Sequence, residues 1–126
     1  MQIDRIDHFV LTVRDITATC EFYERALGME RDVFGEGRVA LKFGAHKINL
    51  HEAGNELEPR ALNPSPGAGD FCLITTTPID DVVRHLQIVG VEIELMPSGR
   101  TGATGPITSV YFRDPDQNLV EVSTYD

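Results

Sequence analysis

With 126 residues, the chain is long enough to bury one working core. Its 41% hydrophobic and 25% charged residues suit a soluble globular domain, and no apolar stretch approaches the roughly 20 residues a membrane helix needs. A net charge of −9 without any Lys/Arg run argues against nucleic acid, while one local Arg is enough to hold a small anionic molecule.

The segment Met1-Gln2-Ile3-Asp4-Arg5 has no basic-then-apolar signal layout, which points to a cytoplasmic chain. Residues 6–13 have strand composition, with Phe9, Leu11 and Val13 on one face and His8, Val10 and Thr12 on the other. Asp15 offers an N-cap. Residues 17–27 read as a helix, with Ala18, Phe22 and Ala26 at i, i+4 and i+8, and Gly28 stops it. Three short strands follow at 29–34, 38–43 and 46–52, split by Gly35, Gly37 and Gly44. Residues 53–69 are a turn-rich connector.

The plan then repeats. Residues 70–76 are strand-like, and Thr77-Pro78-Ile79-Asp80 predicts an N-cap Thr with Pro at N1. Ile79, Val82, Val83, Leu86 and Val89 make a helical stripe that Gly90 ends. Strands are expected at 91–96, 107–112 and 119–124, and residues 100–106 read as a donor-rich loop. Phe9 and Phe71, Leu11 and Leu73, Gly28 and Gly90, and Glu30 and Glu92 all share one spacing of 62. An internal βαβββ repeat accounts for this register. The domain is read as module 1 over about 1–53, a connector over about 53–69 and module 2 over about 70–126. Cys20 and Cys72 have no redox or metal-knuckle spacing and read as reduced, mostly buried thiols.

Parity selects the candidate site. If Phe9 and Leu11 pack under the first helix, His8 points away from it. If Ile48 and Leu50 are buried, Asn49 and His51 point the other way, and if Val120 and Val122 are buried, so does Glu121. Asp70 is the repeat partner of His8. Two imidazoles and a carboxylate form a ligand set that a divalent metal accepts. Arg100 is a candidate for a substrate carboxylate, and Asn49 and Tyr111 are further substrate-binding candidates.

The opening Asp7-His8-Phe9-Val10, the Phe22-Tyr23 to Leu27-Gly28-Met29 helix end and the closing Asp114-Pro115-Asp116-Gln117-Asn118-Leu119-Val120-Glu121 resemble the vicinal oxygen chelate superfamily of glyoxalases, bleomycin resistance proteins and dioxygenases. The resemblance spans the chain. Lys47 to Glu52, Arg100 to Ala103 and Tyr111 to Asp116 are most similar to the branch that holds glyoxalase domain-containing protein 5 and bacterial virulence-protein relatives. It implies an α+β fold of two βαβββ modules in a curved mixed sheet, an open metal-binding cleft and a homodimer. It also implies a substrate that offers two neighbouring oxygens. Glyoxalase-like sites run His, Glu, His, Glu, and the matched positions here read His8, His51, Asp70, Glu121. His8, His51 and Glu121 are thus the expected metal ligands, and Glu121 or Asp70 the expected proton carrier. The divalent metal is left open among Ni, Zn, Co, Mn and Fe. Gln117 stands where relatives carry Gly, so a turn needing positive φ is strained there.

Three functions compete. A metal-dependent lyase or isomerase would move a proton between adjacent carbons of a chelated substrate. A non-haem Fe(II) extradiol-type dioxygenase would use the same ligand types. A metal-free binding or resistance protein would need no ion.

Overall fold

The computed structural model describes all 126 residues. They divide into two compact units, Met1–Gly67 and Ala68–Asp126. Each unit is a four-stranded mixed sheet with one helix. The α+β class and the tandem βαβββ plan expected from the repeat are therefore present.

In the first unit the elements are β1 (His8–Val13), α1 (Ile16–Leu27), β2 (Glu30–Phe34), β3 (Arg38–Phe43) and β4 (His46–Glu52). The sheet order is β1-β4-β3-β2, with β1 parallel to β4. Helix α1 starts after Asp15, whose carboxylate accepts a hydrogen bond from the Ala18 N–H at 3.0 Å. Such a cap satisfies an orphan donor and contributes about 1 kcal/mol. Gly28 ends the helix at φ 68°, a left-handed conformation that costs glycine nothing. Helix α1 buries Cys20, Phe22, Tyr23 and Ala26. Arg31 on β2 donates to Glu24 on α1 at 2.7 Å, which identifies the sheet face under the helix. By strand register that face also holds Leu41, Ile48, Leu50 and Leu11, all nearly inaccessible to water. The other face carries Arg38, Ala40, Lys42, Lys47, Asn49, His51 and His8.

The second unit repeats this order with β5 (Asp70–Ile74), α2 (Ile79–Ile88), β6 (Ile93–Thr101), β7 (Pro106–Arg113) and β8 (Leu119–Tyr125). Its sheet order is β5-β8-β7-β6, with β5 parallel to β8. Helix α2 packs on β6 and β7 and buries Val82 and Leu86. Val110, Phe112, Val120 and Val122 form the apolar face of this sheet, and Ser109, Tyr111, Glu121 and Ser123 alternate onto the other.

Several local expectations change. Thr77 does not cap α2. Pro78 stands at the N-cap without a side-chain bond, and the Thr77 N–H donates to Thr75 Oγ1 at 3.1 Å. Asp80 and Asp81 supply the negative charge that a helix N-terminus favours. Arg100 lies within strand β6, not in a loop, because β6 pairs with β7 as far as Thr101. The connecting turn shrinks to residues 102–105, where Gly102 is closed in. A Cβ there would stand 2.8 Å from the Tyr125 hydroxyl oxygen and 2.9 Å from Ile107 Cγ2. Cys20 is buried as expected, but Cys72 is exposed. It sits on β5, an edge strand with one neighbour, and on the face away from the apolar core.

The closing motif forms a polar staple. Asp114 Oδ1 accepts from the backbone N–H groups of Asp116 (2.9 Å) and Asn118 (3.0 Å), and its Oδ2 accepts from Asn118 Nδ2 at 2.8 Å. Asn118 Oδ1 accepts from the Gly69 N–H at 2.7 Å, and the Leu119 N–H donates to the Gly69 carbonyl at 3.0 Å. The turn thereby fixes the start of β5 against β8. Gln117 takes φ 72°, the positive value a glycine would tolerate without strain.

Candidate functional site

The second unit presents a hydroxyl-held carboxylate. Cys72, Glu121 and Tyr111 lie in one row across β5, β8 and β7. Ser109 and Ser123 pair in the next row, both fully buried. The Ser109 hydroxyl donates to Glu121 Oε2 at 2.6 Å, and Ser123 reaches the same oxygen at 3.3 Å. The two serine oxygens are 2.6 Å apart, and Cys72 Sγ lies 3.3 Å from Ser123 Oγ. One carboxylate oxygen is therefore anchored, while the residue as a whole is only half-buried. Arg100 Nε donates to the Tyr111 hydroxyl at 3.1 Å, and its guanidinium lies 5.4 Å from the Tyr111 ring centroid. Burial raises the Tyr111 phenol above its ordinary range, and the neighbouring Glu121 adds to the rise while Arg100 opposes it. Tyr111 thus joins a cation to the candidate base. Burial likewise raises the Cys72 thiol, opposed by its hydrogen bond with Ser123 and reinforced by the Glu121 charge. Asp70 is exposed at the start of β5, opposite Leu119, and lies near Arg113, whose guanidinium grips Glu94 at 2.9 and 3.1 Å.

The first unit presents a different chemistry on the equivalent face. His8 is exposed, and its Nδ1 stands 2.7 Å from Asp7 Oδ1. A carboxylate on one ring nitrogen orients the imidazole and leaves Nε2 for a ligand. Asn49 is 4% exposed and His51 7%, yet Asn49 Oδ1 and His51 Nε2 are buried without a hydrogen-bond partner. Leaving such atoms unpaired costs about 1–3 kcal/mol each, which is why they are rare outside functional sites. Burial pulls the His51 imidazole below its ordinary range, helped by the charge of Arg38 and opposed by Glu56.

Register reassigns the partners. The row that pairs His8 with Lys47 corresponds to the row that pairs Asp70 with Leu119. Two residues further along, Asn49 is the counterpart of Glu121, and His51 is the counterpart of Ser123. His51 pairs with Thr12, so four residues separate it from His8 along parallel strands, roughly 13 Å. Within the first sheet, His8 therefore has Lys47 and Asn49 as its neighbours on β4, and His51 lies further along the strand. Within neither unit does a group of three or more His, Cys, Asp or Glu side chains gather as a metal site. Ser109, Ser123 and Asp7 were not singled out from the sequence. The two serines lie two residues from Tyr111 and Glu121, so alternation would have revealed them once β7 and β8 were paired.

This fold, with its repeated donor positions, matches known proteins. The model of the Glyoxalase/Bleomycin resistance protein/Dioxygenase superfamily matches residues 5–122, and the chain belongs to that superfamily. It is 55% identical over 125 residues to virulence protein STM3117 of Salmonella typhimurium, covering 99% of this chain and 87% of that protein. The crystal structure of STM3117 superposes with a TM-score of 0.99 over the whole of both chains. Glyoxalase domain-containing protein RDO1 of Mycosarcoma maydis is 49% identical, covering 99% of this chain and 70% of that protein. A lactoylglutathione lyase from Agrobacterium tumefaciens shares the fold at TM-score 0.74 and 23% identity, covering 98% of this chain and 96% of that one.

Proposed function

We propose that this chain is a metal-dependent enzyme of the glyoxalase type, a lyase or isomerase acting on a small molecule with two adjacent oxygens. The observation that carries the reading is Glu121, a carboxylate with one oxygen held by buried hydroxyls and its strand neighbour Tyr111 tied to Arg100. Membership of a superfamily that includes such enzymes supports it.

The donor chemistry suits a divalent ion of the Ni, Zn, Co, Mn or Fe group. His8, oriented by Asp7, and Glu121 are the best-prepared ligands. Asn49 and Asp70 are the register counterparts beside them. His51 fits less well, because it lies rows away from His8 and the Arg38 charge beside it repels a cation. The reading includes a homodimer, in which a second copy adds donors to the ion. When bound, the ion supplies Lewis-acid polarisation of the substrate oxygens. Glu121, once released from the ion, or Asp70 moves a proton between the adjacent carbons, and Ser109 and Ser123 keep the Glu121 carboxylate aimed. Arg100 holds an acidic or oxygenated end of the substrate, with the Tyr111 hydroxyl beside it.

Elemental analysis of protein purified without added metal tests this. The proposal expects a stoichiometric divalent ion, lost in both His8→Ala and Glu121→Ala, and a dimer by light scattering. The Arg38 charge beside His51 favours a second reading, a metal-free small-molecule binding protein. Protein that carries no stoichiometric metal, and takes none up on dialysis against Ni, Zn, Co or Mn, would decide for that reading.

A further inference from the structure

The face of the first sheet turned away from α1 carries a charge pattern that the proposed proton transfer does not use. Lys42 and Lys47 face each other directly across β3 and β4. Like charges placed opposite each other are unfavourable unless something compensates them. Arg38 lies on the same face, four residues before Lys42. The Phe34 ring ties two of these cations together, with Lys47 Nζ 3.7 Å and Arg38 Cζ 4.9 Å from its centroid. Neither Lys47 nor Arg38 makes an ion pair, although carboxylates outnumber Lys and Arg 20 to 11 in this chain.

Acids are close enough to matter. Glu30 and Asp32 share this face on β2, Glu30 opposite Lys42 and Asp32 opposite Ala40. Glu56 lies near His51, but its carboxylate accepts from the Gly54 N–H at 3.0 Å. None of the three is paired with Arg38 or Lys47. Between these cations and the connector lie the two buried orphan atoms, Asn49 Oδ1 and His51 Nε2. A cation finds a poor seat beside Arg38. An anion finds guanidinium, ammonium and an imidazole that can present an N–H.

We propose that Arg38, Lys47 and His51, with Phe34 as the platform that positions the two cations, form a binding site for an oxyanion, a carboxylate or phosphate group carried by a small molecule. Asn49 adjoins the site and adds an amide. All of its residues belong to the first unit, and it stands whether or not the chain binds a metal.

The test is an NMR titration of isotopically labelled, EDTA-treated full-length protein with inorganic phosphate and, in parallel, with acetate, each against sodium chloride at matched ionic strength. The proposal expects saturable shifts centred on Arg38, Lys47, Asn49 and the His51 ring for at least one of the two. The stronger titrant tells phosphate from carboxylate. Arg38→Gln and Lys47→Met keep the side-chain stems over Phe34 and should each weaken binding about tenfold. Shifts that match the chloride control, or that centre on Arg100, overturn the proposal from wild-type protein alone. Affinities unchanged in both variants overturn it as well.

Discussion

The two units run the same strand order with different chemistry in the same rows. Where the first places His8 and Asn49, the second places Asp70 and Glu121. Where the first leaves polar atoms buried and unpaired, the second satisfies its carboxylate with two serine hydroxyls. The turns differ in the same way. Only Gly44 and Ala45 lie between β3 and β4, whereas residues 114–118 knot β7 to β8 through buried side chains. A duplicated backbone thus fixes positions in space, and each copy fills them with its own donors. One face leaves buried polar atoms unpaired, and the other holds a charged side chain in place.

The largest expected contrast lies in the turns. Asp114→Ala removes the acceptor for three buried donors at a residue only 2% exposed. A loss on the order of 3–5 kcal/mol is expected in urea unfolding, a large part of a domain's stability. In the first unit, Gly44→Ala strains a single residue at φ 52° and should cost about 1 kcal/mol. Gln117→Gly should stabilise by up to about 1 kcal/mol, because it relieves the same kind of strain. Equal losses for Asp114→Ala and Gly44→Ala would erase the contrast between staple and turn.

Next come the two faces. Ser109→Ala leaves Glu121 and Ser123 short of a buried partner and should destabilise by about 1–3 kcal/mol. Asn49→Leu removes an atom that has no partner, so unfolding of the free protein should be unchanged or slightly harder. The same substitution should weaken ligand binding, the pattern of a site that trades stability for function. A clear destabilisation by Asn49→Leu in ligand-free protein would mean that Asn49 already has a structural partner.

A smaller effect is set by pH. The folded His51 imidazole is held below 6.5 by burial and by Arg38, while the unfolded chain titrates at the ordinary value. Between the two values only the unfolded state takes the proton. Stability therefore falls as pH drops through 6.5 and levels off once the folded imidazole is protonated too. In EDTA-treated protein, His51→Gln should flatten the melting temperature across that window. A slope that persists in the variant assigns the dependence to other groups.

The smallest effect concerns the thiols. Cys72 is exposed but held above its ordinary range, so native protein should take up one iodoacetamide equivalent slowly, and faster as pH rises. Cys20 should react only on unfolding. Rapid labelling of Cys72 at neutral pH would contradict the raised thiol.

The order of elements was legible in the sequence because it depends on local rules. Alternation named the strands, Asp15 the helix start, Gly28 its end, and the spacing of 62 the repeat. The positive φ at Gln117 was signalled only by the family resemblance, in which relatives carry Gly at that place. The candidate residues His8, Asn49, Asp70, Arg100, Tyr111 and Glu121 could also be read, since face and motif are local properties. Which of them share a row could not. Strand register is set by pairing between residues roughly 40 to 50 positions apart, as with His8 and Lys47 or Asp70 and Leu119. Tertiary structure alone moved His51 a row beyond Asn49, set Arg38 beside it, exposed Cys72 on an edge and placed Ser109 and Ser123 under Glu121. Alternation tells which side of a sheet a side chain takes, but its neighbours on that side depend on how distant strands slide against each other, and the whole core decides that.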